Sequence, residues 1–277
     1  MKEFEIFIRA KSDKSIHTKK MYYDVISKFL ESMKVETIED LQNLTANQLR
    51  EYILSMNISA SSKNSKIRVL KSFFSFLFDN DFLTINQMDK VKKQSEKKVV
   101  TKVPTLEEMN YIFDNCKNEV TKLLLLLTSR VGLRREEVTN IRLEDIFADG
   151  RLLVQGKGNK EAVLKLPKDI FEEVMKYVSH KNRVESEFLF SYAGHKVSPT
   201  SIYMRIREYI ESLKLTNTEE MAFRKCHTYR HYCGTTVYNK THDPYQVKHQ
   251  LRHSDIIIGQ RYVHPNEVEL DALSASL

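Results

Sequence analysis

Apolar positions recur at helical spacing through the first part of the chain. Tyr22, Val25, Ile26, Phe29, Leu30 and Met33 fall three and four apart, which predicts a helix from about Thr18 to Met33. Thr45 reads as the N-cap of a second helix running through Leu49, Tyr52 and Ile53. Ile67, Leu70, Phe73, Phe74, Leu77 and Phe78 mark a third. The pattern therefore predicts a small helical bundle over residues 1–95. From Met88 to Lys98 the chain turns polar and basic, with few large apolar residues, which suits an exposed linker; the domain boundary is placed at 96–103. Pro104-Thr105-Leu106-Glu107-Glu108 looks like a helix start, with Thr105 capping and Glu108 closing the box. The run Leu123 to Leu127 predicts a buried helix. Arg151 to Val154, a Gly-Lys-Gly-Asn turn and Ala162 to Leu166 predict a β-hairpin. After Pro167 the pattern is helical with short loops. The expected fold is mainly α with a small β-hairpin: a helical N-terminal domain and an α+β domain over 104–277.

Composition narrows the class. A length of 277 residues suggests one large or two smaller domains, and 41% hydrophobic residues suffice for real cores. The net charge of +7 permits nucleic-acid binding without proving it. Cys116, Cys226 and Cys233 form no paired framework, so a reducing cytoplasm is the simple expectation. No signal peptide is visible, and the longest apolar run, Leu123 to Leu127, is far too short to span a membrane.

The chemistry sits in four short stretches. Gly132-Leu133-Arg134-Arg135-Glu136-Glu137 is the first, and Gly156-Lys157-Gly158-Asn159-Lys160 the second. The third is His227-Thr228-Tyr229-Arg230-His231. The fourth runs from Leu251-Arg252-His253 to Tyr262-Val263-His264, with Tyr262 nine residues after His253. A phosphodiester repels nucleophiles, and its transition state carries more charge on the non-bridging oxygens. Arginine forks match two phosphate oxygens and stay charged at working pH, which makes Arg134 and Arg230 candidates to neutralise that charge. A tyrosine hydroxyl, with a pKa near 10, attacks only where its forming charge is stabilised. Lys157, in a tight turn, can present an ammonium to a departing oxygen. His227 and His253 can exchange protons with the phosphate or the tyrosine.

These motifs resemble those of the tyrosine recombinases, the phage-integrase family. The family's first arginine box, roughly Gly-Leu-Arg-x-x-Glu-Leu, matches Gly132 to Val138. Its hairpin lysine, often in Gly-Lys-Gly-x-Lys, matches Lys157. Its His-x-x-Arg box matches His227 and Arg230, its Leu-Gly-His box matches Leu251-Arg252-His253, and its tyrosine, often followed two residues later by His, matches Tyr262. Order and spacing agree at five places, and the resemblance covers the whole chain, more weakly in its N-terminal part. Arg252 stands where the family usually has a glycine that relaxes a turn.

The resemblance implies a catalytic set of Arg134, Lys157, His227, Arg230, His253 and Tyr262, with Glu137 and His231 in supporting roles. It implies a SAM-like N-terminal DNA-binding domain and a catalytic domain that clamp opposite faces of a duplex. Lys63, Lys66, Arg68 and Lys71 on or near the third helix, Lys92 and Lys93 in the linker, and Arg252 are the expected DNA contacts. No cofactor and no metal are expected, because the bond energy stays in a protein–DNA ester. The expected partner is double-stranded DNA. The chain is expected to be monomeric or dimeric when free and tetrameric on two DNA sites, with no membrane attachment. A type IB topoisomerase-like enzyme would use similar chemistry, and a non-catalytic DNA-binding regulator is a further alternative.

Each motif also has a plainer reading. Arg134 could be a surface arginine paired with Glu137 at i,i+3. Gly-Lys-Gly-Asn makes a hairpin turn by itself. Cys226, His227, His231 and Cys233 invite a zinc reading, but their spacing fits no usual ligand set. Leu270, Leu273 and Leu277 recur on one face of a short C-terminal helix, which could dock on its own domain or on a neighbouring protomer.

Overall fold

The computed structural model describes residues 2–96, 102–156, 161–180 and 185–252. The chain divides into two compact units, Met1–Val99 and Val100–Leu277.

The first unit is helical: α1 (Lys2–Ala10), α2 (Ile16–Ser32), α3 (Ile38–Asn43), α4 (Ala46–Ser55) and α5 (Ala60–Asp79). Thr45 caps α4 as its sequence predicts, its hydroxyl accepting from the Gln48 N–H at 3.3 Å while Gln48 accepts from the Thr45 N–H at 2.9 Å. The apolar stripe of α5 buries Ile67, Leu70, Phe73, Phe74 and Leu77 against Phe7 of α1 and Phe29 of α2. Rings meet edge to face, Phe7 with Phe73 at 5.2 Å and Phe29 with Phe74 at 5.9 Å.

The stretch from Met88 departs from its expectation. Met88 and Val91 are buried in this core, and a 3-10 turn spans Gln87–Lys90. Asn64, buried within α5, then holds the chain: its Nδ2 donates to the Gln94 carbonyl (2.9 Å) and to Glu96 Oε1 (2.5 Å), and its Oδ1 accepts from the Gln94 N–H at 2.7 Å. Up to Glu96 this segment is therefore anchored to the first unit through Met88, Val91 and Gln94, while Lys92, Lys93, Ser95 and Glu96 stay exposed.

The second unit contains α6 (Leu106–Asp114), α7 (Glu119–Ser129), α8 (Arg135–Asn140), β1 (Arg151–Gln155), β2 (Glu161–Lys165), α9 (Lys168–Val178), β3 (Ser191–Tyr192), β4 (His195–Lys196), α10 (Pro199–Ser212), α11 (Asn217–Phe223), α12 (Cys226–Thr241) and α13 (Pro244–Leu251). Thr105 and Glu108 start α6 reciprocally, the Thr105 N–H donating to Glu108 at 2.7 Å and the Glu108 N–H to the Thr105 hydroxyl at 3.2 Å. Leu123 to Leu127 are all buried, so α7 is apolar around its circumference and runs through the middle of the unit, packed by α8, α9, α10 and α12. β1 and β2 pair antiparallel from Arg151↔Lys165 to Gln155↔Glu161, which closes the predicted hairpin. The stretch after Pro167 is not purely helical, because β3 and β4 form a second hairpin around Ala193 and Gly194, both with positive φ. Among the described residues no helix is long and apolar enough to cross a membrane.

Candidate active site

The site forms where α7 turns into α8. Gly132 sits in that turn with φ +75°, and a Cβ there would lie 2.6 Å from Leu251 Cδ2 and 3.0 Å from Cys233 Sγ. Glycine thus permits both the left-handed backbone and the close approach of α12 and the end of α13. Two residues on, Arg134 is the N-cap residue of α8, and Glu137 lies in its first turn.

Glu137 is 3% exposed and gathers cations from three elements. Its Oε2 accepts from the Arg134 backbone N–H at 2.8 Å, and its Oε1 from Arg134 Nη1 at 2.6 Å. Arg252, at the C-terminal cap of α13, folds back so that Nη2 donates to Glu137 Oε2 at 2.8 Å and to the Gly132 carbonyl at 3.2 Å. Arg230, buried in α12, donates to the carbonyls of Gly132 and Leu251, and its Nη1 lies 3.9 Å from Glu137 Oε2. Burial pushes the Glu137 carboxyl up, but Arg252 and Arg134 outweigh it and hold the group below its ordinary value. Three guanidiniums on one carboxylate leave a local excess of positive charge, the condition for receiving an anion.

His227 stands in the first turn of α12, exposed, three residues before Arg230. Desolvation by the surrounding protein lowers its pKa, and Arg230, Arg135 and Arg134 lower it further. Its exposure limits the size of that effect. The direction still makes a neutral imidazole the main form at pH 7, able both to donate and to accept a proton. Tyr229, beside Arg230, is fully buried, and burial raises its phenol well above the ordinary value, so it is unsuited to attack. Burial also raises the thiols of Cys226 and Cys233 to about 11, which keeps them protonated. Among the described residues no group of three or more His, Cys, Asp and Glu converges in a way that could hold a metal ion.

Of the residues singled out in the sequence, the fold thus brings Arg134, Glu137, His227, Arg230 and Arg252 together. His231 is half-buried one turn beyond His227. Lys157, His253 and Tyr262 lie outside the described residues, as does the Leu270–Leu277 stripe.

The phage integrase family profile matches residues 102–269, and the phage integrase N-terminal SAM-like domain profile matches residues 1–81. The chain belongs to the phage integrase family. It is 28% identical over 268 residues to the tyrosine recombinase XerA of Pyrococcus horikoshii, covering 95% of this chain and 87% of that protein. It is 26% identical over 283 residues to XerC of Oceanobacillus iheyensis, covering 94% and 90%. Its fold is similar to that of the XerH recombinase bound to palindromic difH substrate in a post-cleavage complex, with a TM-score of 0.75 at 19% identity, covering 94% of this chain and 80% of that one. A λ integrase (75–356) dimer bound to a COC′ core site gives 0.72 at 16% identity, covering 93% and 92%.

In this integrase-family chain the expected DNA contacts differ in their surroundings. Arg68, Lys92 and Lys93 are exposed. Lys63 instead donates to the Leu54 carbonyl at 2.9 Å, where α4 ends, and Lys71 to the Asp89 carbonyl at 3.3 Å. Arg252 is turned inward, its side chain 13% exposed and engaged with Glu137. A cavity of about 1510 Å³, lined by Leu106, Met109, Lys122, Leu126 and Lys176 among others, contains none of Arg134, Glu137, His227 or Arg230. What marks the site among the described residues is the convergence of charge on Glu137.

The sequence places Glu137 in a supporting role, with a surface pair to Arg134 as the plain alternative. The pair is real, but it is not a surface pair, because Glu137 is buried beneath three arginines. The Glu at i+3 from the boxed arginine was the available signal. The contributions of Arg230 and Arg252 are long-range and leave no local mark.

Proposed function

We propose that Arg134, Lys157, His227, Arg230, His253 and Tyr262 form the catalytic set of this recombinase. The chain's activity is site-specific DNA recombination by a tyrosine mechanism, and its substrate is double-stranded DNA. Arg134 and Arg230 hold the non-bridging oxygens of the scissile phosphate. Tyr262 Oη attacks phosphorus, the bond from phosphorus to the 5′ oxygen breaks, and a 3′-phosphotyrosyl ester forms. Lys157 protonates the departing 5′ oxygen. The tyrosine proton passes to His227 or His253, and the same groups return it when a 5′ hydroxyl from a partner strand reverses the attack. The ester conserves the bond energy, so no nucleotide cofactor enters, and the arginines supply the charge neutralisation that metals supply elsewhere.

One observation carries this reading. Gly132 and Arg230, 98 residues apart in sequence, meet in a hydrogen bond that sets Arg230 beside Glu137 and the boxed Arg134. Recombination between two duplexes further implies a tetramer on paired sites, built from protomers that are monomeric or dimeric when free. Exposed Arg68, Lys92 and Lys93 are the phosphate contacts favoured outside the catalytic set.

The test is strand exchange between two labelled duplexes that carry a site mapped by covalent adduct formation, run in excess EDTA. Recombinant product of hybrid label is expected. Relaxation of supercoiled plasmid without any site requirement, and without hybrid product, would instead favour a type IB topoisomerase-like enzyme.

A further inference from the structure

Arg252 is the place where this chain departs from its family's motif, and the structure gives the departure a cost and a use. The cost is backbone conformation: Arg252 closes α13 with φ +51° and ψ +47°, a left-handed position that a glycine occupies without strain and an arginine does not. The use is the pair of acceptors its side chain covers. Glu137 Oε2 is shared with the Arg134 backbone N–H, and the Gly132 carbonyl is shared with Arg230. A third bond, from Arg252 Nη1 to the Gln250 carbonyl at 3.0 Å, fixes the guanidinium in place.

Consider what a phosphate asks of this cluster. Arg230 and Arg134 must turn donors from protein acceptors to phosphate oxygens. A buried acceptor that loses its donor carries a desolvation penalty, larger for a carboxylate than for a carbonyl. When the other two guanidiniums move, the Arg134 backbone N–H still donates to Glu137 Oε2, but only Arg252 leaves that carboxylate a cationic partner and the Gly132 carbonyl a donor. We infer that Arg252 is a positioning residue of this recombinase: it holds Glu137 and Gly132 so that Arg134 and Arg230 are released to the scissile phosphate. It acts through Glu137 and Gly132 and does not itself contact DNA. The inference rests on the proposed reading of the site.

The experiment is a double-mutant cycle on Arg252→Gly and Glu137→Gln, with Arg252→Lys alongside. Single-site DNA affinity, adduct formation at saturating DNA and melting temperature are read for each. Arg252→Gly should slow adduct formation by about 10–100-fold at saturating DNA while leaving affinity within about 3-fold, because the loss falls on the chemical step. Arg252→Lys should recover part of the rate, keeping a charge but not the fork. In the cycle, the double mutant should be no slower than the slower single, since residues acting as a unit are non-additive. Wild-type rate in Arg252→Gly overturns the inference. So does a defect confined to affinity, which would make Arg252 a DNA contact, and so do effects that multiply in the double mutant. Should Arg252→Gly fail to fold, a fully active Arg252→Lys with multiplicative behaviour toward Glu137→Gln overturns it equally. The melting-temperature arm needs no DNA. Coupling there, with no adduct from the wild-type protein, would reject the recombinase reading, whereas adduct formation with no coupling would reject this one.

Discussion

Arg134 meets Glu137 twice, through its guanidinium at 2.6 Å and through its own backbone N–H at 2.8 Å. One carboxylate therefore fixes both the start of α8 and the direction in which the boxed arginine points. Because Arg252 and Arg230 reach the same carboxylate, the cationic site and the packing of α8, α12 and α13 are a single construction.

Removing that carboxylate should be costly. Glu137→Ala leaves three arginines crowded with no anion, and breaking a buried ionic cluster in this way costs about 3–5 kcal/mol. Urea unfolding should show a lower midpoint, together with loss of adduct formation. The pH dependence has a definite sign. The folded pKa of Glu137 lies below its unfolded value of about 4.3, so its stabilisation is present above that value and is lost as pH falls through the folded pKa. Glu137→Gln should flatten the acid limb of the stability curve below about pH 4. An unchanged acid limb would show that the carboxylate is not held by its arginines.

The first unit offers an independent check. Asn64→Leu removes the three hydrogen bonds that hold Gln94 and Glu96 to α5. The Gln94 N–H and carbonyl then lose their partner, a loss of about 1–3 kcal/mol. Trypsin should cut faster at the exposed Lys92 and Lys93, with cleavage followed by mass spectrometry. Cleavage at the wild-type rate would mean that the segment is held by Met88 and Val91 alone.

For the proton donor, Lys157→Ala should slow cleavage strongly on an ordinary phosphodiester. It should recover on a 5′-bridging phosphorothiolate, whose sulfur leaves without protonation. Equal slowing on both substrates assigns Lys157 to phosphate binding or to the hairpin turn.

What the sequence disclosed follows from the range of the forces involved. The capping of α4 by Thr45 and of α6 by Thr105, the buried Leu123–Leu127 run and the β1–β2 hairpin are set by neighbours a few residues away, and they stand as read. Helix α1 is absent from the sequence expectations although Phe4, Phe7 and Ile8 fall at helical spacing, and its rings pack on Tyr22 and Tyr23 of α2 as well as on Phe73 of α5. The hold on the 88–96 segment leaves no local mark because its anchor, Asn64, lies 30 residues upstream of Gln94. In the site, the motif residues were legible from family resemblance, but the joint hold of three arginines on Glu137 was not. Arg252 lies 115 residues from Glu137, and only the close crossing at Gly132 brings them together.

Tyr262 is the proposed nucleophile, and covalent capture on a nicked suicide substrate tests it most directly. Tyr262→Phe keeps the ring and every cation, so it should bind the site with wild-type affinity and yield no protein–DNA adduct on a denaturing gel, while the wild-type protein accumulates one. An adduct that persists in Tyr262→Phe would place the attacking oxygen on another residue and contradict the account.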